Sequence, residues 1–154
     1  PLSEWPELIP TLLQNMNVPL ARQSTLEALG YSCEELNAVA LDQGLVDNIL
    51  TAVVQGIRKE EPDNEVRLAA VTALLNALTF AQQNFQKEGE RNYIMQVTCE
   101  ATQCADMRVS PQVVCANEMI SYVHCFLPSA QVYRRLFGIH NNFYSHIRCH
   151  TCRS

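Results

Sequence analysis

Glycine is scarce, at 5 of 154 residues, while 47% of the chain is apolar and 18% charged. That balance excludes a disordered chain, which is too polar to bury a core, and favours a packed helical class. No apolar run approaches the ~20 residues that cross a bilayer, and no charged-then-apolar leader opens the sequence, so no membrane insertion is expected. Lys and Arg are few where they would matter for phosphates: residues 1–108 carry 7 against 15 Asp and Glu, net −8. Nucleic-acid binding, which needs cations to displace condensed counterions, is therefore excluded, and basic partners are favoured. G-x-S-x-G, H-E-x-x-H and phosphate-loop patterns are all missing, and no carboxylates pair in a usable geometry. No enzyme activity and no cofactor are expected.

Composition shifts at Val109. Residues 109–154 carry net +3, all four histidines and four of the seven cysteines. A boundary is expected there, with 1–109 as one segment and 110–154 as a divergent tail, partly helical or disordered. The earlier cysteines, Cys33, Cys99 and Cys104, fall in helical patterns, as buried thiols of a reducing, intracellular compartment would. The chain begins at Pro1 without a methionine and enters in mid-pattern, which suggests a segment of something longer.

Five amphipathic helices are legible before the boundary. They are Glu4–Met16, Leu20–Leu36, Gln43–Lys59, Glu65–Phe85 and Lys87–Gln103. Ser3 is a plausible N-cap for the first, whose interior Pro10 is expected to tighten or kink it. Leu26, Leu29 and Cys33 mark the inner face of the second. Glu60-Glu61-Pro62-Asp63-Asn64 ends the third, with Asp63 or Asn64 able to cap the fourth.

These helices repeat. RQSTLEALGYSC from Arg22 aligns with RLAAVTALLNAL from Arg67 at an offset of 45. Leu8, Ile9 and Leu12 align with Ile49, Leu50 and Val53 at offset 41, and those with Tyr93, Ile94 and Val97 at offset 44. Two helix types alternate, the first, third and fifth forming one set and the second and fourth the other. A two-helix unit of about 40–47 residues is the signature of HEAT and armadillo solenoids, all-α superhelices whose units bury their apolar faces only by stacking. About two and a half repeats plus the tail are expected, against the alternative of a helical bundle with coincidental periodicity.

At WPELIP (Trp5–Pro10), STLEALGY (Ser24–Tyr31), ILTAVVQGIRKEEP (Ile49–Pro62), VRLAAVTALLNAL (Val66–Leu78) and MQVTCEATQ (Met95–Gln103), the sequence resembles the importin-beta (karyopherin-beta) family of nuclear import receptors. The resemblance covers residues 1 to about 109 and implies amino-terminal HEAT repeats, approximately the fourth to sixth. It implies FG-repeat nucleoporins as partners, with Ran GTPase and importin-alpha as partners of the full-length family, and a location in cytoplasm, nucleus and nuclear pore or envelope. Carried over by position, an FG-nucleoporin cleft would use Leu50, Thr51 and Val54 from the third helix and Glu90, Tyr93 and Ile94 from the fifth. Without the resemblance, Leu50 and Val54 read as ordinary packing between repeats. Glu27, Glu34 and Glu35 on the second helix are expected to be solvated, with a role toward Ran as the functional reading. The competing function is a generic HEAT-repeat scaffold that takes a basic peptide on its acidic concave face.

After Val109 the repeat register is expected to be lost, although Pro111 can open a helix to about Leu127. Such a tail is what an alternative transcript or a read-through intron produces. Its His140, His146, Cys149 and Cys152 offer a weak zinc candidate, because the spacing matches no common finger and no second Cys pair accompanies it.

Overall fold

A computed structural model of the chain describes residues 7–36, 42–103 and 105–126. Among them the regular elements are all helical: α1 (Leu8–Asn15), α2 (Arg22–Leu36), α3 (Gln43–Ile57), α4 (Asn64–Ala77), α5 (Gln82–Gln86), α6 (Glu88–Ala101) and α7 (Val109–Phe126), with a 3₁₀ turn at Pro19–Ala21 leading into α2. None of these helices is long and apolar enough to cross a membrane. Ser3, Cys104, Leu127 and the tail ligands His140, His146, Cys149 and Cys152 lie outside the described residues. Among the described residues no group of side chains could hold a metal ion.

Local chemistry sets the starts of α3 and α4. Asp42 accepts from the Leu45 amide at 3.3 Å and Asp63 from the Glu65 amide at 2.9 Å, so each caps amides that have no intrahelical acceptor. The kink expected at Pro10 has no lost hydrogen bond behind it in α1. The helix begins at Leu8, which places Pro10 in the first turn, where an amide would have no partner to lose. Pro111 occupies the same third position in α7. The fourth expected helix is divided: α4 stops at Ala77, the Thr79 hydroxyl donates to the Asn76 carbonyl at 3.0 Å, and the chain restarts as the short α5. A hydroxyl that bonds its own backbone in this way competes with continuation of the helix.

The helices stack in two rows. α1, α3 and α6 lie side by side in one, and α2 and α4 in the other, with α4 packed against both α2 and α3. Each row repeats one buried triplet at i, i+3, i+7. In the first row it is Leu50, Val53, Ile57 and then Ile94, Val97, Ala101; in the second it is Leu26, Leu29, Cys33 and then Ala70, Ala73, Ala77. That spacing keeps one helix face inward, and the rows are those of a HEAT-type solenoid.

The repeat does not stop at Val109. Val113, Ala116 and Ile120 of α7 continue the second-row triplet and are wholly buried, as is Val109. Gln112 accepts from the Thr72 hydroxyl at 3.0 Å, and Asn117 accepts from the Thr98 hydroxyl, which ties α7 to α4 and α6. The expected loss of register is therefore corrected. The local sequence departs from the pattern, but burial requires only apolar residues at the inward positions of a helix, and these remain. Pro1–His124 form one compact unit, so the shift in composition at Val109 is not a structural boundary; of the second unit, Cys125–Ser154, only the end of α7 is described.

The rows meet closely at Gly56. A β-carbon there would fall 2.8 Å from the Ala70 Cβ and 2.9 Å from a Leu26 methyl. Gly56→Ala gains helix propensity but overpacks a rigid contact, so a net loss of about 1–2 kcal/mol is expected, read from the urea midpoint.

Cysteine burial is mixed. Cys33 is buried, and burial, assisted by the nearby Glu34 charge, pushes its thiol up to about 12. Cys99, expected to be buried, is exposed: it lies two residues beyond Val97, on the far side of the α6 stripe. Iodoacetamide at neutral pH is expected to modify Cys99 and spare Cys33 in the folded protein, as peptide mass mapping would show, because only the thiolate attacks.

Candidate functional site

Where α3 and α6 run side by side, they leave a cavity of about 300 Å³ lined by Asp47, Leu50, Thr51, Val54, Gln55, Arg58, Asn84, Glu90, Tyr93 and Ile94. All six residues expected of a cleft are here. Leu50, Val54 and Ile94 form its floor, each only 4% exposed, whereas Tyr93 stands 52% exposed. The floor residues serve both readings at once, because they pack α3 against its neighbours and also present their last surface to the cavity. Apolar floor, aromatic flank and polar rim together suit one planar apolar group, for which roughly 150 Å³ is already sufficient.

Four lining residues were not anticipated: Asp47, Gln55, Arg58 and Asn84. Asn84, on α5, is 2% exposed, and both ends of its amide are used. Its Nδ2 donates to Asp47 Oδ1 at 2.6 Å and to Glu90 Oε2 at 2.7 Å, while its Oδ1 accepts from Gln43 Nε2 at 2.9 Å. Gln43 also donates to Asp47 at 2.8 Å, and Lys87 Nζ donates to Glu90 Oε1 at 2.8 Å. The hydrogen bonds from Asn84 and then Gln43 hold the Asp47 carboxyl below the usual carboxylate range. Bonding to Glu90 raises the Lys87 ammonium above its ordinary value. The site thus has an apolar floor and one polar end fixed by a buried amide.

A second concavity, of about 210 Å³, lies between α2 and α4 and includes Glu27, Tyr31, Glu34 and Glu65. Glu27 and Glu34 are exposed, as expected; Glu27 accepts from Gln23 at 2.9 Å and Glu34 from Asn76 at 3.1 Å. The Glu35 side chain lies outside the described residues.

Comparison with known proteins follows the same lines. No family model matches the chain. Importin subunit beta-1 of Arabidopsis thaliana is 50% identical over 111 residues, 71% of this chain and 13% of that protein. The Schizosaccharomyces pombe importin subunit beta-1 is 42% identical over 142 residues, 89% of this chain and 16% of its own length. The chain belongs to the importin-beta family. The longer of those matches reaches well past Val109, in agreement with the packing of α7. Two solved structures carry the importin-beta fold over most of the chain. Kap95p with RanGDP has a TM-score of 0.69 at 34% identity, over 92% of this chain and 16% of its own. The Kap95:Nup1 complex has a TM-score of 0.67 at 36% identity, over 90% of this chain and 17% of its own. The chain thus spans about one-sixth or less of the relatives it matches.

Proposed function

We propose that the chain acts as part of a nuclear transport receptor and that the α3–α6 cleft takes a phenylalanine ring from an FG-repeat nucleoporin. The observation that carries this reading is the convergence of Leu50, Val54, Tyr93 and Ile94 on one ring-sized cavity. The complex of a family member with Nup1 supports it. Burial of one phenylalanine contributes roughly 1.5–3 kcal/mol before ordering costs, so a single cleft binds weakly. Weak contacts in series suit a carrier that must hold and release, since avidity multiplies them. Ran, which a relative binds, and importin-alpha are partners of a longer array containing this segment. Its place would be the cytoplasm, the nucleus and the pore between them.

Tyr93 is the residue to test, because it is half-exposed and contributes little to the core. Loss of its ring is worth about 0.5–1.5 kcal/mol, so Tyr93→Ala is expected to weaken a fluorescent FG peptide roughly 3- to 10-fold in anisotropy titration, with the melting temperature nearly unchanged. Equal binding of the native protein to the peptide and to its Phe→Ser counterpart would sink the assignment. The second reading, a basic peptide against Glu27, Glu34 and Glu65, rests on the smaller concavity and predicts instead that Tyr31→Ala weakens a Lys/Arg-rich peptide.

A further inference from the structure

Asn84 touches both walls of the cleft and is itself withdrawn from water. Asp47 belongs to α3 and Glu90 to α6, and one Asn84 amide nitrogen donates to a carboxylate on each, at 2.6 and 2.7 Å. Its carbonyl is occupied by Gln43 at 2.9 Å, which leaves the amide one orientation that satisfies every partner. Two carboxylates drawn to one nitrogen are two helices held at one separation. We infer that Asn84 is a positioning residue that sets the spacing of α3 and α6, and so decides whether the cleft admits an aromatic ring. This inference rests on the aromatic-binding reading above.

The chain reaches this arrangement because α4 stops early. A helix continued to Phe85 would carry position 84 onward along the α4 axis. The break after Ala77 instead lets α5 deliver Asn84 against α3 and α6. The bonds are charge-assisted and their donor is buried, although the two carboxylates keep contact with solvent. An aliphatic side chain cannot replace them, because it would leave the two carboxylates without the one donor they share.

Asn84→Asp changes almost no volume but turns the shared donor into a third negative group. Asp47 and Glu90 are then repelled, and Lys87, bonded to Glu90 and within electrostatic reach of Asp47, offsets only part of the added charge. Asp47→Asn supplies an amide opposite the new carboxylate and restores one donor–acceptor pair with reversed polarity. In anisotropy titrations with a single-motif FG peptide, Asn84→Asp is expected to weaken binding about 10-fold or more and Asp47→Asn about 3-fold, with the double variant returning to within about 3-fold of native; contacting residues show such non-additivity. Losses that do not run through the Asn84–Asp47 contact would instead add.

Native-like affinity in Asn84→Asp, or additive losses in the double variant, would overturn the inference. If Asn84→Asp does not fold, Asp47→Asn alone decides, because it leaves amide facing amide; unchanged affinity overturns the idea and weakened affinity supports it. If the native protein binds no FG peptide, the functional reading fails, but the spacing claim can still be read by methyl NMR. Cross-peaks between Leu50 or Val54 methyls and Ile94 that vanish in Asn84→Asp and return in the double variant would uphold it. Cross-peaks that persist in Asn84→Asp would overturn it.

Discussion

Val54→Asp is expected to destabilise the fold by about 3–5 kcal/mol, the range for a buried charge left without a partner. Val54 is 4% exposed on the cleft floor, and the rim cation Arg58 is exposed and paired with Glu60 at 3.1 Å. The urea midpoint should fall with little change in slope. Peptide binding should fall as well, but the loss would report unfolding as much as a missing contact, and the same holds for Ile94→Asp. The pH dependence identifies the cause. Burial raises the new carboxyl above its unfolded value near 4, so its penalty is full at neutral pH and fades as pH falls through the raised value. Asp47 behaves in the opposite sense. Its carboxyl is held low in the folded state, so its contribution is present above the unfolded value and is lost as pH falls below it.

Phe85→Ala is expected to cost about 3–5 kcal/mol, the range for removing a buried aromatic ring from a core that relaxes only partly. Phe85 is the largest wholly buried side chain among the described residues, on a helix of 5 residues that has little backbone stability of its own. Its carbonyl accepts from Arg91 Nη1 at 3.1 Å, so the ring and the start of α6 are placed together. A unit of this size should melt roughly 10–20 °C lower. Because Asn84 is the preceding residue, FG-peptide affinity should fall together with stability. Calorimetry and titration on the same variant check both. A variant that melts like the native protein would show that α5 is held by something other than its ring.

Glu61, like Asn84 at the cleft's polar end, is a buried polar residue with defined partners. It sits in the charged turn after α3, where sequence gives it the look of a solvated residue, yet its carboxylate is enclosed against Arg22 at 2.9 Å and accepts from the Asp63 amide at 3.2 Å. Arg22 belongs to the preceding repeat. The pairing spans 39 residues and leaves no mark on the local pattern.

Glu61 and Asn84 mark the limit of what could be read in advance. Helix type, spacing and the cap at Asp63 were legible, because each depends on residues within a turn of one another; the Asp42 cap is equally local but was not anticipated. The repeat was legible because stacking demands the same apolar positions every time. Leu50, Thr51, Val54, Glu90, Tyr93 and Ile94 became a site through resemblance, since their periodicity alone described only packing. Three expectations failed for want of a longer view. Cys99 lies on the far side of its stripe, Pro10 falls in a first turn, and α7 keeps its inward positions although the surrounding residues change.

The sequence by itself determined that this protein is a stack of paired helices, because apolar periodicity is a local property written along each segment. Only the tertiary structure decided that Asn84 and Asp47, 37 residues apart, would share a hydrogen bond at one end of the cleft. A polar side chain carries no sign of whether it will meet water or a partner. That is settled by the helix brought beside it, here by a break in α4 that turns Asn84 inward between the two walls.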